Sequence, residues 1–164
     1  MSFHLLLALV VVGAAVQIAR MSARSTDRVG EAVLVWVLVG YCGVPMIAFM
    51  AYGLMHPMEM AGLTGFEAGS PFQTFTTWAL MGMGVAATAA FRYRGTYLMG
   101  PALAWAIFFV GATSIHFGQY GADGTLTHGA ILMIFATHGL ISVLLLGSLW
   151  ASGVWKAGGA ARPE

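Results

Sequence analysis

The sequence has very few charged residues and a single cysteine. Only 8% of its 164 residues are Asp, Glu, Lys or Arg, whereas soluble domains carry about a quarter. A charge content this low excludes an ordinary soluble domain. Cys42 has no partner for an internal disulfide, so cysteine usage does not indicate a redox compartment. No basic patch is interleaved with aromatic residues, and nucleic acid is therefore not expected as a partner.

Most of the sequence consists of apolar residues. Hydrophobic residues make up 59% of the chain, the mean hydropathy is +0.83, and several uncharged runs approach or exceed the ~20 residues that cross a bilayer. The pattern predicts an all-α polytopic membrane protein, a five-helix transmembrane bundle forming one domain over residues 1–152. The predicted helices cover about residues 3–19, 31–54, 71–91, 97–117 and 127–150, followed by a flexible cytoplasmic tail at 153–164.

The basic residues predict an orientation. Five spans place the connections alternately on two sides of a bilayer, and all seven Lys and Arg residues then fall on one side. By the positive-inside rule, the N-terminus lies outside and the C-terminus inside. The sequence therefore predicts a multi-pass protein of the cell inner (plasma) membrane.

Several local signals mark helix ends and bends. Pro45 lies inside the second predicted helix and should kink it or leave a carbonyl free. The connection from Met55 to Ser70 is the longest, and Pro57 argues against a regular helix within it. Ser70 is a candidate N-cap with Gln73 completing a capping box.

Small residues recur at four-residue spacing in the third predicted helix, at Gly82, Ala86 and Ala90. Such a stripe lets another backbone approach closely, as in membrane helix pairs. The stripe therefore predicts the face on which the third helix packs closely against another helix.

Histidines and carboxylates gather at the predicted outer side. His56, His116, His128, Glu59 and Glu67 lie at or near helix ends there. Imidazole with carboxylate is a ligand set for zinc, iron or copper, so these five residues are candidate metal ligands. None of them forms a tight ligand motif, and the competing interpretation is that they cap helix ends and face water.

His138 is a separate candidate because it lies ten residues beyond His128. On a helix this spacing places it ~15 Å deeper and about 80° around the axis, which excludes chelation of one metal ion by both. No other histidine is predicted in the middle of a helix. His138 is therefore either a hydrogen-bonded structural residue or a cofactor-binding residue: a haem ligand, a proton relay or a contact to a quinone headgroup. A haem near the outer surface would instead need His116 with His56 or His128.

From Thr64 to about Trp150 the chain resembles a family of small bacterial and archaeal integral membrane proteins, a domain of unknown function. The residues that carry the resemblance are Pro71-Phe72-Gln73, Gly82-Met83-Gly84-Val85, Arg94-Gly95-Thr96-Tyr97 and Gly111-Ala112-Thr113-Ser114-Ile115-His116. The resemblance favours His116 as a functional residue. It also implies an acidic residue and an asparagine at two positions where this chain has Phe75 and Leu80. A polar site that used that pair would be altered or absent here.

Three functions fit these patterns. The first is an accessory or binding subunit of a membrane complex, with protein partners and a His- and acid-rich outer face, because no compact catalytic motif is present. The second is a metal- or haem-binding membrane oxidoreductase that uses the outer histidines. The third is a small transporter, which has only His138 and two helix-interior prolines in its favour. The sequence does not decide whether the protein is an enzyme.

Overall fold

The computed structural model describes residues 3–64, 67–122, 124 and 127–156. All regular secondary structure in these ranges is helical, which confirms the predicted all-α class. The α-helices are α1 (Phe3–Ala19), α2 (Thr26–Val37), α3 (Val44–Met55), α4 (Pro57–Thr64), α5 (Pro71–Ala89), α6 (Met99–Ala122), α7 (His128–Ile134) and α8 (Leu140–Ala151). Two π-helical segments, Leu38–Gly43 and Phe135–Gly139, join α2 to α3 and α7 to α8. Short 3₁₀ turns cover Gly95–Leu98 and Val154–Lys156.

Three helices in the described residues are long and apolar enough to cross a membrane. They are the continuous helices Thr26–Met55, Gly95–Gly118 and Ile131–Ala151. The helix at His4–Ala19 is apolar but shorter. The chain therefore has the helices of a membrane protein.

The first π segment has a cause in the sequence. Pro45 donates no backbone hydrogen bond, and in a regular helix its ring would clash with the carbonyl of Tyr41. The helix widens over Leu38–Gly43, immediately before that proline. Widened turns of this kind are frequent at functional sites. Pro45 thus produces a local π segment within a helix that continues to Met55.

The core lies where α8 packs between α2 and α6. Leu34, Trp105, Ile141 and Leu145 are all fully buried there. The indole Nε1 of Trp105 donates a hydrogen bond of 3.2 Å to the carbonyl of Met83 on α5. This bond satisfies the one polar group of the largest buried side chain and ties α5 to α6.

The close seam of α5 runs along a different face from the one predicted. Gly82 is exposed and Ala86 half-buried, and only Ala90 of the predicted stripe is buried. The other buried positions are Thr77, Leu80, Gly84 and Ala87. Successive four-residue steps drift by about 40° around a helix, so a straight i, i+4 stripe leaves the contact face. The buried positions alternate steps of three and four residues, and α3 packs on that face.

The α3–α5 connection contains a helix where none was predicted. α4 begins at Pro57, since the first helical position needs no backbone donor and suits proline. Met60 is buried and covers Gly53, where its Cε would meet any added Cβ. The predicted N-cap at Ser70 is confirmed, because its Oγ accepts from the backbone N–H of Gln73 at 3.1 Å.

Arg94, in the connection from α5 to α6, lies within electrostatic range of Glu31 in the first part of α2. Partial desolvation lowers the pKa of the Arg94 guanidinium, and the carboxylate of Glu31 on α2 opposes that shift. The start of α2 and the connection from α5 to α6 therefore lie close together.

Candidate binding groove and imidazole pair

A groove of about 580 Å³ lies between α1 and the helix that runs from the first π segment into α3. Seven residues line it: Leu6, Tyr41, Pro45, Met46, Ala48, Phe49 and Tyr52. Five of them are apolar, and the two tyrosines are the first and last lining residues of the long helix. The groove is therefore an apolar trough with a tyrosine at each end.

The spacing of these residues explains why they share one face. Positions 41, 45, 48, 49 and 52 follow the i, i+4, i+7, i+8, i+11 pattern of a helical stripe. Eleven residues separate the two tyrosines, which is about three turns and ~16 Å along the axis. Leu6 on α1 supplies the opposite wall. This spacing can be read from the sequence, but an apolar stripe in a membrane helix does not distinguish a groove from an ordinary packing face or a lipid-facing surface.

Tyr52, His56 and Glu59 form a polar cluster at one end of the groove, here called the Tyr52 rim. The rings of Tyr52 and His56 stack with centroids 4.2 Å apart. The Tyr52 hydroxyl donates to a Glu59 carboxylate oxygen, and His56 Nδ1 lies 3.6 Å from the other. The side chain of Glu59 is 63% exposed. The turn from α3 into α4 at His56 brings the three residues together.

Tyr41 connects the other end of the groove to the second π segment. Its hydroxyl donates a 3.0 Å hydrogen bond to the backbone carbonyl of Thr137. Its ring lies 6.0 Å from that of Phe109 on α6. The two π segments of the chain are thus joined by a direct hydrogen bond, although they lie far apart in sequence.

His116 and His138 lie side by side, with ring centroids 5.3 Å apart. We call them the imidazole pair. The prediction that His138 has no histidine at its depth is therefore wrong. α6 continues to Ala122, so His116 lies more than a turn inside the helix and not at its end. Phe109 packs edge-on against the His138 ring at 5.6 Å.

Hydrogen bonds orient the His138 ring. Thr137 Oγ1 donates to the carbonyl of Met133 at 2.8 Å, so the same oxygen accepts from His138 Nδ1, which is 2.8 Å away. The ring also hydrogen-bonds the backbone of Ile134. The Thr137 contact requires the proton on Nδ1, which leaves the acceptor lone pair of a neutral ring on Nε2. Hydrogen bonds of this kind fix the orientation of an imidazole ring.

The five predicted metal ligands are divided between separate places. His56 and Glu59 belong to the Tyr52 rim, while His116 faces His138. Glu67 is exposed before α5, and the side chain of His128 lies outside the described residues. In the ranges that the structure describes, no three His, Cys, Asp or Glu side chains lie close enough together to hold a metal ion.

Tyr41, Tyr52 and Thr137 are site residues that sequence reasoning missed. Pro45 is the available signal for Tyr41, because a proline four residues later predicts a disturbed turn. The second π segment has no such signal, since no proline lies between Phe135 and the end of α8 at Ala151.

The fold and these two sites define a helical protein that has three helices long and apolar enough to cross a membrane, an apolar groove and an imidazole pair. The chain belongs to a family of unknown function, DUF6790, whose model matches residues 1–157. The match confirms the expected membership of an uncharacterised family and extends it through α1 and α2. No curated protein and no solved structure matches the chain.

Proposed function

We propose that this protein is a multi-pass membrane protein that binds the apolar chain of an amphipathic molecule, as an accessory or binding subunit. The observation that carries the proposal is the 580 Å³ groove with a tyrosine at each end. Ligand sites are typically concave and mostly apolar, with a few placed polar groups. The groove has that composition, and Tyr41 links it through one hydrogen bond to the segment that carries His138.

The binding proposal is tested by titrating the purified protein with monoolein, a neutral single-chain amphiphile, and counting bound molecules by native mass spectrometry. A groove of this size accommodates one chain, so binding should saturate at one monoolein per protein. Bound molecules that increase without saturation would indicate partition into the detergent belt and would contradict the proposal.

The proposed topology has five spans, with the N-terminus outside and the C-terminus inside the plasma membrane. Arg20, Arg24 and Arg28 flank the α1–α2 connection, and Arg92 and Arg94 lie between α5 and α6. Five spans would place these arginines on one side, together with Lys156, and the positive-inside rule assigns that side to the cytoplasm.

Single cysteines introduced on the two sides test this topology. We expect a membrane-impermeant maleimide to label Glu67→Cys in intact cells and to label Ser22→Cys only after permeabilisation. Both native residues are exposed, and Cys42→Ala supplies the cysteine-free background. Labelling of Ser22→Cys in intact cells would contradict the orientation, and labelling of both would contradict the span count.

A second candidate function, a metal- or haem-binding oxidoreductase, is favoured only by the imidazole pair. Two imidazoles 5.3 Å apart supply two ligands of a transition-metal site, and imidazole suits Zn, Cu, Fe and Ni. Remaining ligands would have to come from a bound molecule or from residues outside the described ranges.

Metal analysis and a visible spectrum of gently purified protein separate this candidate from the first. If the pair holds a metal or haem, stoichiometric metal or a Soret band is expected in the wild type. Either signal should be lost in both His116→Ala and His138→Ala and kept in His56→Ala. A colourless, metal-free wild-type protein would eliminate the oxidoreductase function.

A further inference from the structure

The proposed groove ends at a charged aromatic cluster that its apolar lining does not explain. Tyr52 is both a groove residue and the residue that contacts Glu59 and His56. A carboxylate at the end of an apolar groove determines which headgroup charge is favoured in an amphiphile whose chain occupies the groove. We propose that the groove binds a single-chain amphiphile with a cationic ammonium headgroup, which the Tyr52 rim recognises. This inference rests on the proposed binding function.

Charge complementarity favours an ammonium headgroup over a neutral or anionic one. Glu59 carries the negative charge of the rim, and its carboxylate has acceptor sites beyond the one that receives the Tyr52 hydroxyl. An anionic headgroup at this position would be repelled by Glu59. No Lys or Arg occurs between Met55 and Ser70 that could attract an anion.

The Tyr52 ring adds a second recognition element. One face of the ring is covered by the stacked His56 imidazole, and the residue also borders the groove. An ammonium group over a tyrosine face is attracted by the ring quadrupole. Tyrosine and carboxylate together therefore bind a cation where either alone would bind it weakly.

The local backbone holds this cluster in place independently of a ligand. The backbone N–H of His56 donates to the carbonyl of Tyr52 at 2.9 Å. The side chain of Gln73, which is buried, donates to the carbonyl of Pro57 at 2.9 Å. The rim is thus fixed to α5 as well as to α3, and its geometry is formed before a ligand arrives.

Three amphiphiles with the same C18:1 chain test the inference: oleylamine, monoolein and oleic acid. Each is titrated into the full-length protein in a nonionic detergent and followed by native mass spectrometry. We expect oleylamine to bind about tenfold more tightly than monoolein, and oleic acid to bind more weakly than monoolein. Glu59→Gln should lower the oleylamine-to-monoolein ratio to about twofold to threefold, because the Tyr52 ring remains to attract the ammonium group.

Glu67→Gln is the matched control, because Glu67 is also exposed and lies in the same connection. It should leave the ratio unchanged. A ratio near one in the wild type, with saturable monoolein binding, would overturn the headgroup assignment while the proposed groove stands. Absence of saturable monoolein binding would instead overturn the groove itself. An equal loss of preference in Glu67→Gln would show general surface attraction and would also overturn the assignment.

Discussion

Replacing Gly43 with alanine is expected to lower the free energy of unfolding by about 2 kcal/mol, as overpacking of a tight interior site does. An added Cβ would lie 2.6 Å from Thr88 Oγ1, 3.0 Å from the Thr88 backbone nitrogen and 3.0 Å from the carbonyl of Leu38. Two of these atoms belong to backbones that cannot rotate away. The π segment and α5 would have to separate. Unfolding in mixed micelles, followed by circular dichroism, measures the effect.

Gly82→Ala is the control for this prediction. Gly82 lies on the same helix as Thr88, but an added Cβ there meets nothing within 4 Å. Alanine has the higher helix propensity, by about 1 kcal/mol, so this variant should be as stable as the wild type or slightly more stable. Equal destabilisation of the two variants would show that the contact of α5 with the first π segment is not the tight seam of the fold.

Filling the groove with a bulky side chain is expected to abolish amphiphile binding. Ala48 lines the groove between the two tyrosines and is exposed there, so Ala48→Trp places an indole in the trough without disturbing the core. Saturable monoolein binding should weaken by at least tenfold, a loss of about 1.4 kcal/mol. Native mass spectrometry gives the bound fraction at each monoolein concentration.

Ala79→Trp is matched to this variant, since it introduces the same side chain at an exposed position of α5 that does not line the groove. Its monoolein affinity should equal that of the wild type. Unchanged binding in Ala48→Trp would place the bound chain somewhere else on the protein.

Much of the helical architecture could be predicted because it follows from local patterns. α1 covers the predicted residues 3–19, and α5 begins at Pro71 behind the predicted Ser70 N-cap. Long apolar runs bounded by caps, glycines and arginines specify helix positions without knowledge of tertiary contacts. The short α4 was missed because Pro57 was interpreted as a helix breaker, although proline equally suits the first helical position.

The imidazole pair could not be predicted, because it depends on where α6 ends. A helix end near Phe117 places His116 at the surface, whereas continuation to Ala122 brings it level with His138. Gly118 and Gly121 made an early end attractive, but glycine is tolerated in membrane helices. The π segment at Phe135–Gly139 also changes the angular position of His138, and the sequence gives no signal for it.

The groove and its rim depend on tertiary structure in a similar way. Tyr41, Pro45 and Tyr52 share a face by spacing alone, but only the distance between α1 and α3 leaves that face open. Glu59 reaches Tyr52 because the chain turns at His56 into α4. Three of the predicted metal ligands, His56, Glu59 and His116, therefore belong to two sites with different chemistry.

If the groove holds an amphiphile in the cell, that molecule should remain bound when the protein is extracted from its own membrane. The direct test is to identify the molecules that co-purify with the protein. Wild type and Ala48→Trp are purified in parallel in a mild detergent, and bound molecules are released in organic solvent and identified by mass spectrometry. We expect one amphiphile with a cationic headgroup per wild-type protein and none in Ala48→Trp. Identical lipid content in the two proteins, matching the bulk membrane, would contradict the claim.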